Sequence, residues 1–287
     1  MNLELDDGRH SDDIRRMLVD AGFLVGQMGP GVTVWSERFE QLARKLQESV
    51  GARLESTVDR EIWAPPVVDT HTATASGYLD NFPQLAGIVS TAQDGTPEYM
   101  RAALVGAACH PFFAVCAPQH DEPSRTVGRV TAPVFRWEPD DDPFRLVSFR
   151  QTEHVIVAGE GEVRSVLAKW TTRILNLLRD DLGLPISLAA ANDPFFGRVG
   201  QLKGDLQLAS GDKTEALLIT PHTSAPVALA SVNYHGSRLV RAFEWPGDTV
   251  SGCLGVGLER TAIAVLLTHG PSEADWPETV KELLAHG

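Results

Sequence analysis

Apolar residues recur along this chain in two rhythms, one helical and one alternating. In 36–50, SERFEQLARKLQESV, Phe39, Leu42, Leu46 and Val50 fall at helical intervals behind Ser36, a suitable N-cap followed by Glu37. A second helix is expected over TPEYMRAALVGAAC, with Thr96 as cap and Pro97 at the first helical position. A third runs from about Glu162 to Leu182, with Val163, Leu167, Trp170, Ile174 and Leu178 on one side and Gly183 and Pro185 ending it. Strands are expected in FRLVSFRQTEHVIVAG (144–159), EALLIT, VALASVNY and HGSRLVRAFEW, all rich in β-branched or aromatic residues. CLGVGLERTAIAVLLTHG reads as a strand or turn feeding a helix from about Leu258 to Thr268, punctuated by Gly270. Non-local strands mixed with helices that do not alternate regularly predict an α+β fold with a mainly antiparallel sheet. No linker, repeat or low-complexity tract divides the chain, whose length suits one or two domains.

Composition narrows the class. The chain has 287 residues, 43% of them hydrophobic, enough to bury a sizeable core. No apolar run approaches the roughly 18 residues of a spanning helix, so no membrane partner is expected. The opening, MNLELDDGRHSDD, is acidic and lacks a signal peptide's basic and apolar regions, and a polar segment is expected over about 1–20. Cys109, Cys116 and Cys253 are too few and too odd for a disulfide framework, which favours a cytoplasmic location. With 25 Lys+Arg against 38 Asp+Glu, the net charge of −13 disfavours a long nucleic-acid footprint.

Three groups of residues carry candidate chemistry. Arg136 and Glu138 stand two apart beside Trp137, a spacing that on a strand points both side chains to one face. There Arg136 could grip a phosphate with paired donors and Glu138 could accept from a base, although a surface ion pair is the plainer alternative. Gly255-Val256-Gly257-Leu258-Glu259-Arg260 lacks the third glycine of a dinucleotide fingerprint, and a tight turn is its plain reading. Arg260 in the first turns of a helix is misplaced for the helix dipole, which favours a bound anion beside it. Cys109, Glu153 and Cys253 match no short zinc spacing, and free cysteines are commonly small buried apolar groups. His235, at the end of SVNYH, reads as structural more readily than as a base.

Arg136-Trp137-Glu138 in FRWEP resembles the second motif of class II aminoacyl-tRNA synthetases, and GVGLERTAI resembles their third. More specifically, SGYLDNFPQL (76–85), AACHP (107–111), FRQTEHV (149–155), DPFFGR (193–198), SVNYH (231–235) and SGCLGVGLERT (251–261) resemble the amino acid:[carrier protein] ligases, in consistent order over roughly 25–280. These are relatives of the catalytic core of the atypical, zinc-containing seryl-tRNA synthetases. The resemblance implies a single catalytic domain over residues 1–287 with a six- or seven-stranded antiparallel sheet flanked by helices, a homodimer and no tRNA-binding domain. It implies zinc held by Cys109, Glu153 and Cys253, with a fourth position open for a substrate amine. Cys116 is then spare. It also implies ATP with Mg2+, a small amino acid such as glycine or alanine, and the phosphopantetheine thiol of a carrier protein. Arg136 would bridge carboxylate and α-phosphate, Glu138 would meet the adenine amine, Phe149 would stack on the base, and Arg260 would hold the γ-phosphate. Arg145 is a further phosphate candidate, and Gly255 and Gly257 border the nucleotide. Arg15, Arg16, Arg173 and Arg179 are candidates for docking an acidic carrier protein. The alternatives are a truncated synthetase acylating RNA and a catalytically idle paralogue.

Overall fold

The computed structural model describes residues 7–93, 96–118 and 125–285. Its centre is a seven-stranded sheet of β3 (Arg60–Trp63), β7 (Thr126–Phe135), β8 (Ser148–Ala158), β12 (Val250–Gly257), β11 (Val227–Gly236), β10 (Lys213–Leu218) and β9 (Ile186–Ala190), in that spatial order. Every neighbouring pair is antiparallel except β3 with β7, which is parallel. The mainly antiparallel sheet of the α+β expectation is therefore present, with one parallel edge strand added. A hairpin of β1 (Leu24–Gly29) and β2 (Val32–Trp35) stands apart from a three-stranded sheet, in which β6 (Thr96–Leu104) lies between β4 (Val67–Asp69) and β5 (Ile88–Gln93).

Alternation along β8 explains the two faces of the main sheet. Ile156 and Ala158 enter one apolar core, while Val155 and Val157 enter another on the opposite face. Burial on both faces accounts for the unbroken apolar run at the end of β8, where a one-faced strand would alternate with polar residues. The first core is roofed by α1 (Asp7–Asp20), α2 (Glu37–Leu54), α6 (Glu160–Leu175), α9 (Leu258–His269) and α10 (Glu278–Ala285). Against the opposite face lie α5 (Cys109–Val115) and α8 (Arg238–Ala242), which bring Phe112, Phe113, Leu239 and Val240 into the second core. The short helices α3 (Thr70–Ala75) and α4 (Tyr78–Asn81) and the longer α7 (Gly197–Ser210) complete the set.

The expected helix at 36–50 is α2, and Ser36 caps it by accepting from the Phe39 N–H. Helix α9 begins at Leu258 as expected. Two expectations are corrected. TPEYMRAALVGAAC is not a helix from Thr96: it forms β6 and only later enters α5 at Cys109, because pairing with β4 and β5 on both sides overrides the alanine-rich local preference. HGSRLVRAFEW is not a strand but ends β11 and forms α8, whose Leu239 and Val240 are buried. The helix expected from about Glu162 to Leu182 is present as α6, which begins at Glu160, and a π-helical continuation over Asn176–Asp181. Within the polar segment expected over about 1–20, residues 7–20 form α1, which buries Ile14 and Leu18. No helix of the described residues is long and apolar enough to cross a membrane.

Candidate active site

The odd-numbered residues of β8 and β12 point to one face of the sheet, and the site is built there. A cavity of about 390 Å³ opens over them, lined by Phe149 and Glu153 of β8 and by Cys253, Gly255 and Gly257 of β12. Arg136 and Glu138 reach it from the segment after β7, Arg260 from the first turn of α9, and Cys109 from the start of α5. Arg145 does not line the cavity; it is exposed, and its charge acts on Arg260. Arg136 and Glu138 were expected on a strand face, but β7 ends at Phe135 and both lie in the irregular segment beyond it. The glycine pair is not a tight turn either. Gly255 and Gly257 close strand β12, and a side chain at Gly255 would meet Gln151 Nε2 at 2.8 Å and Glu153 Cγ at 3.0 Å.

Two guanidiniums flank one aromatic ring. The Arg136 guanidinium carbon is 5.7 Å from the centre of the Phe149 ring and that of Arg260 is 5.9 Å from it. Arg136 donates to the Gly106 carbonyl at 3.3 Å, and Arg260 donates to the carbonyls of Phe144 at 2.8 Å and Ala228 at 3.2 Å. Among the described residues, no ion pair joins either arginine to a carboxylate. Burial, then the positive charges of Arg136 and Arg145, lower the Arg260 pKa to about 10, so it stays cationic at neutral pH. The charges of Glu138 and Asp142 partly offset that effect, and two guanidiniums around a ring with no direct ion pair are a seat for an anion attached to a planar group. Arg150 is different: it is tied to Glu259 at 2.7 Å and to Glu40 at 2.6 Å, holding β8, α9 and α2 together.

At the other end of the cavity three acidic groups meet. Cys109, Glu153 and Cys253 are buried, and Glu153 interacts with both thiols. Glu153 Oε1 accepts from the Ala108 N–H at 3.0 Å, whereas Oε2 is buried without a hydrogen-bond partner. Burial raises the Glu153 pKa, and the hydrogen bond to Cys109, followed by burial, raises that of Cys253. The donor atoms of Cys109, His235 and Cys253 lie within 4.8 Å of one another, so His235 also stands where a ligand of the same ion could. Two thiols and a carboxylate form a borderline-soft donor set, and Glu153 Oε2 is an acceptor left open for a cation; zinc fits these residues.

The sequence reading missed the rest of the wall. Arg238 donates to the Ser76 carbonyl at 2.7 Å, and burial lowers its pKa. His110 and His235 are both lowered to about 3, first by burial and then by the Arg238 charge, and are neutral. The Tyr78 hydroxyl is buried and unpartnered. Asp193 pairs with Lys213 at 2.6 Å, and Lys213 reaches Glu215 at 3.0 Å. Tyr78 and Asp193 lie within segments singled out above, but Arg238 was hidden by reading its five-residue helix as a strand.

A mainly antiparallel sheet carrying unpaired arginines after β7 and at the start of α9 defines the class: a class II aminoacyl-tRNA synthetase-like catalytic core. Solved structures agree. The seryl-tRNA synthetase of M. kandleri, in complex with A. aeolicus tRNASec, superposes with a TM-score of 0.79 at 18% identity, covering 98% of this chain. This chain spans 60% of that one. The prolyl-tRNA synthetase of Giardia lamblia, solved with prolyl-adenylate, gives 0.72 at 12% identity over 92% of this chain and 53% of its own. Sequence comparison is more specific. Amino acid–[acyl-carrier-protein] ligase 2 of Bradyrhizobium diazoefficiens is 32% identical, covering 93% of this chain and 86% of that protein. Ligase 1 of the same organism is 30% identical over 88% of this chain and 85% of its own length. The type-2 serine–tRNA ligase of Methanopyrus kandleri is 27% identical over 62% of this chain and 37% of that protein. No protein-family model matches the chain. The chain belongs to the amino acid–[acyl-carrier-protein] ligase family, a family of ligase enzymes.

Proposed function

We propose that this protein joins ATP and a small amino acid into an aminoacyl-adenylate and transfers the aminoacyl group to the phosphopantetheine thiol of a carrier protein. The observation that carries the reading is the pair of guanidiniums of Arg136 and Arg260 flanking Phe149 with no direct ion pair among the described residues, in the same cavity as Cys109, Glu153 and Cys253. The substrate carboxylate attacks the α-phosphorus and pyrophosphate leaves. Arg136 holds carboxylate and α-phosphate together and offsets the charge that builds between them. Phe149 stacks on the adenine, Glu138 accepts from its amine, and Arg260 holds the γ-phosphate, with Arg145 adding positive charge. ATP brings its own Mg2+ as part of the substrate.

Cys109, Glu153 and Cys253 would hold zinc, which when bound supplies a Lewis-acid seat for the substrate's amino group. Tyr78, His110 and Arg238 wall this end of the cavity and leave room for a small side chain, such as that of glycine or alanine. In the second step the carrier's thiol attacks the acyl carbon, a thioester forms and AMP leaves. The test is amino-acid-dependent exchange between ATP and pyrophosphate across the proteinogenic amino acids. Exchange with a small amino acid, followed by acylation of a phosphopantetheinylated carrier and not of bulk tRNA, is the expected result. No exchange with any of them overturns the reading, and acylation of tRNA alone replaces it with the synthetase alternative.

A further inference from the structure

We propose that His235 is a positioning residue that donates its Nε2–H to the Cys253 thiolate while staying off the metal; this rests on the zinc reading above. Two contacts fix the ring. Its Nδ1 is 3.2 Å from Ser251 Oγ and its Nε2 is 3.4 Å from Cys253 Sγ. A 3.4 Å separation suits either an N–H···S hydrogen bond or two ligands of one ion, so the place of the proton decides. Ser251 is fully buried, and among the described residues its hydroxyl meets no partner other than His235. If that hydroxyl accepted from Nδ1, its own proton would be buried with no acceptor, an arrangement native structures avoid. Ser251 therefore donates to Nδ1, which leaves the ring proton on Nε2, facing the sulfur.

The surrounding register supports the assignment. Asn233 lies opposite Cys253 across β11 and β12, and the ladder slips between Tyr234 and Gly236, making His235 the extra residue of a bulge. Asn233 Nδ2 approaches the same sulfur at 3.8 Å and is steadied by Ser231 Oγ at 3.2 Å. Cys253 thus faces two N–H groups, whereas Cys109 receives none among the described residues. The two thiolates are unequal. Hydrogen bonds to Cys253 draw charge from its sulfur and leave the metal a stronger acceptor for the substrate amine, and Cys109, Glu153 and Cys253 remain the only protein ligands.

The experiment uses the full chain with Co2+ and Zn2+ as probes, in the parent and in His235→Leu and His235→Gln. His235→Leu is expected to move the thiolate-to-cobalt charge-transfer band to lower energy and to weaken zinc binding by about 10- to 100-fold in chelator competition. His235→Gln keeps an N–H at similar reach and is expected to restore most of both. Two measurements on the parent need no variant. Zinc X-ray absorption should lack imidazole outer-shell scattering, and long-range 1H–15N spectra should show Nδ1 as the unprotonated nitrogen. Imidazole scattering, a protonated Nδ1, or a folded His235→Leu protein with unchanged band and affinity overturns the proposal. A parent that binds neither ion overturns the zinc reading itself, a failure distinct from the others.

Discussion

At the scale of single residues, the site depends on placed charges and on glycines that make room for them. Arg260 is held by two backbone carbonyls and feels Glu138 and Asp142 without a direct ion pair among the described residues, so its guanidinium can still take a ligand's anionic group. Arg260→Lys retains a cation but loses the planar fork, and amino-acid-dependent pyrophosphate exchange is expected to fall by about 10²- to 10³-fold, as when a preorganised donor is lost. Circular dichroism should stay that of the parent; full exchange activity in the variant would remove Arg260 from the mechanism. Gly255 acts differently. Its backbone lies where any residue is comfortable, but an added Cβ would press on Gln151 Nε2 at 2.8 Å and Glu153 Cγ at 3.0 Å. Gly255→Ala is expected to displace the Glu153 carboxylate and lower zinc content after dialysis, with smaller loss of ATP affinity. A variant that retains zinc as well as the parent would show that Glu153 can move aside without cost.

At the scale of elements, the helix caps connect local sequence to the cavity. Asp69 caps α3 by accepting from the Thr72 N–H at 2.7 Å, and α3 delivers Ser76 and Tyr78 to the cavity wall. That backbone hydrogen bond holds the Asp69 pKa below its ordinary value. A carboxyl lowered on folding stabilises fully above its unfolded pKa, about 3.9, and loses that contribution as pH falls through the folded value. Asp69→Ala should therefore cost about 1 kcal/mol at neutral pH, with the gap from the parent closing below about pH 4. Asp69→Asn, which caps without charge, should cost less; urea unfolding at both pH values measures each, and a gap unchanged in acid would mean the ionised carboxylate is not the cap. Long periodic elements of this kind were legible in sequence: α2 with Ser36 and α9 from Leu258 lie where the pattern puts them. Thr96–Leu104 was not, because its partners β4 and β5 come from earlier segments of the chain and no local signal announces them. Arg238–Ala242 is too short to show a helical period, and with it Arg238 was lost from the expected site. Arg136, Glu138, Phe149, Arg260, Cys109, Glu153 and Cys253 do meet in one cavity, but their convergence came through the family motifs, since spacing alone related none of them.

At the scale of the whole molecule, charge and edges suggest how the chain meets other molecules. A net charge of −13 surrounds a cavity lined by Arg136, Arg238 and Arg260 together with Glu138, Glu153, Asp193 and Glu215, so charges of both signs meet a ligand there. The arginines expected to dock an acidic carrier are already paired: Arg15 with Asp141, Arg16 with Asp13, Arg173 with Glu55 and Arg179 with Asp180. Exposed pairs of this kind contribute little and leave no strong basic patch at those positions. The apolar surface is more informative. Strand β3 closes one edge of the main sheet, pairing among the described residues only with β7, and its Trp63 is 67% exposed. Val67 follows on β4 and Ile88 on β5, both exposed and paired at adjacent positions of β6. Open edges and exposed aromatic side chains are normally covered, and a second copy related by a two-fold axis covers both at once. The homodimer implied by the family resemblance is expected to use this region. Sedimentation equilibrium at micromolar concentration should give twice the 31.1 kDa chain mass, and Trp63→Glu should shift the population toward 31.1 kDa. A parent protein sedimenting at the single-chain mass would refute the dimer, while a dimer indifferent to Trp63→Glu would place its interface elsewhere.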